Sequence, residues 1–187
     1  SFANLDVVTE AENLGSVVVG AAGNSGLERD FYPAAHPNVI SVASVDFEDY
    51  RSFFSNFSSS VDISAPGTSV LSTVSNGGYD YLDGTSMAAP IVAGIAAMAI
   101  MVDPRLTPAE VRALIKANAD NIDSVNQSFI GKLGAGRINA YKTVAQQSRR
   151  YVEISSLTIV DENGDGVFEP GEELRISVKA RNLLDPL

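Results

Sequence analysis

In "DGTSMAAPIVAG", residues 83 to 94, the hydroxyl of Ser86 stands at the entrance of an apolar run that continues to Val102. A helix start presents unpaired backbone N–H groups and a partial positive charge, and both favour anions. Two roles are open to a serine there. It can be an N-cap, contributing about 1 kcal/mol of stability, or a nucleophile whose tetrahedral intermediate is stabilised by the positive end. A second group of chemically capable residues lies in "DENGDGVFEPGE", residues 161 to 172, which has the spacing of a calcium loop. Asp161, Asn163 and Asp165 would supply side-chain oxygens and Val167 a backbone carbonyl. Glu172 would be a bidentate carboxylate, with Glu169 reaching the ion directly or through water. The flanking segments "VEISSLTIV" and "ELRISVKA" make the context strand-loop-strand, and the competing reading is a polar hairpin connection with solvated acids. Calcium is the expected cofactor.

The elements that must position these residues are signalled by residue type. "SVVVGAA" (16–22) and "NVISVASV" (38–45) are short β-branched runs bounded by Gly, Asn and Pro, as expected of strands buried on both faces of a parallel sheet. "SVLSTV" and "YDYL", around Asn76-Gly77-Gly78, predict a hairpin. "LTPAEVRALIKAN" opens with Thr107, Pro108 and Glu110, a capping box with proline in the first helical position. Val111, Leu114 and Ile115 then line one face. "RINAYKTVAQQ" spaces Ile138, Tyr141 and Ala145 at helical intervals. The run Met87 to Val102 carries Pro90 and is shorter than a membrane span requires, so it is assigned to the core and no membrane span is expected. Strands interleaved with helices predict an α/β layer architecture. Near "QQSRRY" (146–151) helical spacing gives way to strand-like alternation, which divides the chain into residues 1–150 and a truncated β-module over 151–187.

"GTSMAAP" resembles the nucleophile segment of the subtilisin-like serine proteases, and the resemblance extends through residues 15–145. "VVVGAAGNSG" (17–26) is similar to the family's strand and oxyanion loop, and "YPAAHPNVISVASVD" (32–46) to the segment that follows. "DISAPG" (62–67) is similar to the turn ahead of the hairpin, and "GAGRINA" (134–140) to the closing helix signature. The resemblance implies the C-terminal part of a parallel-sheet peptidase domain, with Ser86 as nucleophile and the Asn24 side chain and Ser86 N–H as donors to the oxyanion. It places Thr85 in a supporting, substrate-side position. Phe31 falls where many relatives carry a glycine at the base of the pocket for the substrate side chain, which implies a shallow pocket preferring small residues. Tyr32-Pro33 matches a dipeptide that the family holds cis. Some secreted relatives follow the catalytic domain with acidic, strand-flanked segments that begin a β-sandwich, and this implies the same for residues 151–187.

A serine nucleophile needs a general base, normally a histidine oriented by a carboxylate. The family order is Asp, His, Ser, with both Asp and His ahead of the oxyanion asparagine. The only histidine here, His36, follows Asn24 and reads as a loop residue between Ala35 and Pro37. The aspartate and histidine are therefore expected upstream of Ser1, and the chain alone is expected to be inactive. The rival reading is a non-catalytic protease-like scaffold carrying a calcium-dependent β binding module.

Composition narrows the partners. Acidic residues outnumber basic ones 23 to 13, and the net charge of −10 repels phosphate backbones, so no nucleic acid is expected. With no cysteine, disulfides, thiolate metal sites and thiol catalysis are excluded. The expected partner is a polypeptide substrate, in an extracellular or cell-envelope compartment. Ser1 and the terminal "NLLDPL" read as internal points of a longer polypeptide. Half of an α/β sheet leaves a raw strand edge and apolar surface, so self-association of the chain is expected.

Overall fold

A computed structural model of the chain describes residues 2–75, 77–145, 152–161, 168 and 173–184. Helix α1 (Phe2–Asn13) leads into strand β1 (Val18–Ala21), followed by β2 (Val39–Val45) and β3 (Ile63–Pro66). The three strands form a parallel sheet in the order β1-β2-β3, with Val18 opposite Val39 and Val42 opposite Ile63. Every residue of β2 is buried. Ile40 and Val42 join one core, while Ala43 and Val45 join another with Val61, Ile122 and Leu133. Both faces of this central strand are covered, which explains its unbroken β-branched sequence. Each fully buried Val or Ile contributes about 1.5–3 kcal/mol. The expectation of two buried faces fails for β1, which is half-buried along its length and pairs only with β2 among the described residues.

"DISAPG" also differs from its reading as a turn, since Ile63–Pro66 is the third strand of the sheet. Its short side chains carry no strand signature of their own, and the parallel pairing with β2 makes the strand. Beyond it, β4 (Val70–Thr73) and β5 (Tyr79–Leu82) form the expected antiparallel hairpin, with Asn76 outside the described residues. All but one of its eight strand residues are exposed.

Helix α2 (Thr85–Val102) lays Ala88, Val92, Ile95 and Ala96 against Ile40, Val42, Ile63 and Ala65 of the sheet. The three- and four-residue spacing forms a single stripe, so the apolar run is core on one face only. Met98, Met101 and Val102 are exposed. The helix is 18 residues with a mean hydropathy of 1.9, long and apolar enough by composition to cross a membrane. Its packing against the sheet accounts for the buried stripe of that composition.

Helix α3 (Pro108–Ala117) begins with the expected capping box. Glu110 N–H donates to Thr107 Oγ1 at 3.3 Å, and Thr107 N–H donates to Glu110 Oε2 at 2.7 Å. Helix α4 (Ala140–Ala145) starts later than its periodicity implies, and of the residues at helical intervals Ile138 is buried while Tyr141 is 75 % exposed. The segment before α4 is held by Ile138, buried in the core, and by polar and charged contacts around Asp120. Arg137 donates to Asp49 and Asp120, each at 2.8 Å, while Asn139 at 2.8 Å and Lys142 at 2.5 Å also donate to Asp120. The Lys142 and Asn139 bonds, ahead of that from Arg137, hold the Asp120 carboxyl well below the usual carboxylate range against the opposing effect of burial.

The C-terminal strands β6 (Val152–Asp161) and β7 (Leu174–Asn182) pair antiparallel with an irregularity between Ile154 and Ser156. Ile154, Leu157, Ile159, Ile176 and Val178 form one exposed apolar face. Immediately after β7, Leu183 and Leu184 pack with Ala99, Ala113 and Leu114. The expected seam at 146–151 lies outside the described residues.

Candidate active site

Strand β1 ends against the core, and Ala22 N–H donates to Val42 O at 2.9 Å before the chain turns at Gly23. Gly23 has φ +97° and is wedged tightly, because a Cβ there would stand 2.5 Å from Asn56 Nδ2 and 3.0 Å from Phe31 Cγ. Only glycine meets both demands at low cost. Asn24 follows, exposed at the tip of the turn.

The second half of the site is the start of α2. Its N-cap is Gly84, so Thr85 and Ser86 are the first two helical residues and Ser86 is not the cap. The Thr85 N–H, which no helical carbonyl can reach, donates instead to Asn24 Oδ1 at 2.9 Å. Thr85 Oγ1 donates to the same oxygen at 2.8 Å and accepts from Gly23 N–H at 3.2 Å. Thr85 is fully buried, and its connection to the surface runs through Asn24. With the Asn24 carbonyl turned to the helix, its amide lies toward Gly84. A Cβ on Gly84 would stand 3.5 Å from both Asn24 Nδ2 and the Ser86 backbone nitrogen. Two N–H donors therefore lie near one point beside the exposed Ser86, with Met87 Sδ 3.3 Å from that point, and such a pair of donors suits a carbonyl oxygen that gains negative charge.

The floor is knitted from both ends of the hairpin. Gly84 N–H donates to Gly67 O at 2.8 Å, and Ser69 N–H donates to Asp83 Oδ1 at 2.6 Å. Ser44 and Ser52 hydroxyls meet at 2.6 Å, and Ser52 and Thr68 at 2.7 Å. These buried hydroxyls, and Asn56 beside Gly23, escaped the sequence reading. Ser52 and Asn56 stand in "RSFFSNFSSS", which nothing separates from an ordinary polar loop.

Phe31 is 41 % exposed, with its ring beside Gly23 and hence near Asn24, and the Tyr32–Pro33 bond is cis. His36 is buried beside Tyr32 with ring centroids 4.7 Å apart, and its Nε2 has no hydrogen-bond partner among the described residues. That nitrogen is not bonded to Ser86, in keeping with the reading of His36 as a loop residue. Asp161 is buried at the end of β6, while Asn163, Asp165, Val167, Glu169 and Glu172 lie outside the described residues.

Comparison with known proteins identifies the family. Residues 2–149 match the Subtilase family. The chain is 42% identical over 139 residues to a thermophilic serine proteinase of Bacillus sp. (strain AK1), covering 74% of this chain and 33% of that protein. It is 43% identical over 137 residues to thermitase of Thermoactinomyces vulgaris, covering 73% of this chain and 47% of thermitase. Among solved structures, the patellamide maturation protease PatA aligns with a TM-score of 0.70 at 32% identity, over 75% of this chain and 54% of that one. A protease of Pseudoalteromonas arctica PAMC 21717 aligns with a TM-score of 0.68 at 33% identity, over 75% and 45%. The chain thus spans between a third and about half the length of these two sequence relatives. On the family match and these identities, the chain belongs to the subtilase family of serine peptidases.

Proposed function

We propose that the protein carrying this chain is a serine endopeptidase that opens peptide bonds through an acyl-enzyme at Ser86. The Ser86 hydroxyl attacks the substrate carbonyl carbon and gives up its proton to a base. The carbonyl oxygen becomes an oxyanion that accepts from Asn24 Nδ2–H and Ser86 N–H. Collapse of the intermediate expels the amine, which takes the proton back from the protonated base. Water, giving its own proton to the base, then releases the acyl group as the acid while Ser86 regains its proton. The observation that carries this reading is the common space over Gly84 bordered by both nitrogens. The base and its orienting carboxylate come from polypeptide outside these 187 residues, so this chain alone does not turn over substrate.

The surrounding assignments follow from the same reading. Phe31, beside Gly23, narrows the pocket for the substrate side chain, and Thr85 supports the substrate side of the site through Asn24. Residues 161–172 hold calcium between β6 and β7. The apolar face of that hairpin is covered by further strands of a β-sandwich, because a two-stranded ribbon is marginal in water. The compartment is extracellular or at the cell envelope.

A fluorophosphonate serine probe on the full-length, folded protein tests the reading. Labelling at Ser86 that disappears in Ser86→Ala supports the peptidase. No labelling supports a protease-like scaffold instead.

A further inference from the structure

Asn56 is fully buried, and all the hydrogen bonds of its side chain go to the loop that carries Asn24. Its Oδ1 accepts from Ser25 N–H at 3.0 Å and Leu27 N–H at 3.3 Å. Its Nδ2 donates to Ala22 O at 3.0 Å, and its backbone N–H donates to Gly23 O at 2.9 Å. These four bonds grip residues 22, 23, 25 and 27 and leave out Asn24, whose own side chain is held from the other direction by Thr85. Gly26 N–H adds a bond to Phe54 O at 2.6 Å.

The segment bearing Asn56 is itself anchored. The Arg51 guanidinium donates to the carbonyls of Ser52 and Phe53 at 3.1 Å and of Ser55 at 2.5 Å. It lies over the rings of Phe57 and Phe129 at 5.0 and 4.5 Å, an attractive placement for a cation. Ser55 Oγ accepts from Ser44 N–H at 2.9 Å, which ties the segment to β2. Asn56 thus links the position of the central strand to the turn that carries Asn24.

We infer that Asn56 is a positioning residue for the oxyanion donor, fixing the 22–27 loop so that the Asn24 amide faces the space over Gly84. This rests on the reading of Asn24 as that donor. A donor aimed in advance stabilises developing charge without reorganising during the reaction, so loss of Asn56 is expected in kcat rather than KM.

The test is a double-mutant cycle in the full-length protein, with kcat and KM measured on a chromogenic peptide for the wild type, Asn24→Ala, Asn56→Ala and the double variant. Asn56→Ala is expected to lower kcat about 10- to 100-fold and to change KM by less than about 3-fold. In the Asn24→Ala background the same substitution is expected to lower kcat by less than about 3-fold, because the amide it aims is already gone. An equal loss in both backgrounds, or an unchanged kcat beside a lowered melting temperature, overturns the inference. An unchanged kcat in Asn24→Ala alone instead overturns the underlying donor assignment. Should Asn56→Ala not fold, Asn56→Asp enters the same cycle, since it keeps the acceptor for Ser25 and Leu27. Its smaller kcat loss must likewise vanish without the Asn24 amide.

Discussion

Asn24 Oδ1 accepts two hydrogen bonds from one residue, Thr85, through its backbone N–H at 2.9 Å and its hydroxyl at 2.8 Å. The pair joins positions 61 apart in the chain and does two things at once. It satisfies a helix-start donor that α2 lacks a side chain to cap. It also leaves the amide half of Asn24 toward Gly84.

Asn24→Ala removes that amide. In the full-length protein kcat is expected to fall about 10²–10³-fold, a magnitude taken over from the subtilisins to which this chain is related. Steady-state kinetics checks this, and an undiminished kcat would take Asn24 out of the mechanism.

Thr85→Val keeps the shape and the backbone bond while removing the hydroxyl. The Asn24 amide is then held by one bond instead of two, and the Gly23 N–H loses its acceptor. Stability is expected to fall by about 1–3 kcal/mol by denaturant titration. The accompanying kcat loss is about 10-fold, smaller than for Asn24→Ala.

Asp120→Asn probes the ion network ahead of α4. The depressed carboxyl of Asp120 contributes stability that is present above the unfolded carboxylate range. It is lost as pH falls from about 4 toward the lower folded value. The substitution is expected to lower stability by about 1–2 kcal/mol at pH 7 and to flatten the loss of stability below about pH 4. Urea titrations across that range measure both, and an unchanged acid slope would assign the acid loss to other carboxylates.

What the sequence discloses about this fold divides by distance along the chain. The capping box of α3 is legible because Thr107, Pro108 and Glu110 are neighbours whose chemistry is complete within four residues. The hairpin is legible for the same reason. Strand β3 is not, since Ile63–Pro66 becomes a strand only by pairing with β2 some 20 residues earlier. Helix α1 carries neither acidic residues in its first turn nor basic ones in its last, and so gives no local signal. Within the site, Ser86 and Asn24 stand out through the motifs around them. Asn56 and the Ser44–Ser52–Thr68 hydroxyls do not, because their roles depend on partners brought together by folding.

Calcium is the expected ligand of residues 161–172. Calorimetry at millimolar calcium is expected to detect binding that Asp165→Ala abolishes. At about 100 times its dissociation constant the ion would add about 2.7 kcal/mol to the folded unit, visible as a higher melting temperature reversed by chelation. A silent titration assigns the loop to solvated acids.

Phe31→Gly removes the ring beside Gly23. Peptide profiling of the full-length protein is expected to move from small toward larger side chains at the position before the scissile bond. Wild-type preference for large aromatic residues would contradict the assignment.

The β4–β5 hairpin is stapled shut at its root by Gly84 to Gly67 and by Ser69 to Asp83, and nearly everything beyond those staples is bathed in water. The serine is thereby insulated from whatever occupies the tip. Lengthening, shortening or replacing that finger is expected to leave Ser86 where it is, which makes the tip a natural place to graft a new contact onto this protein.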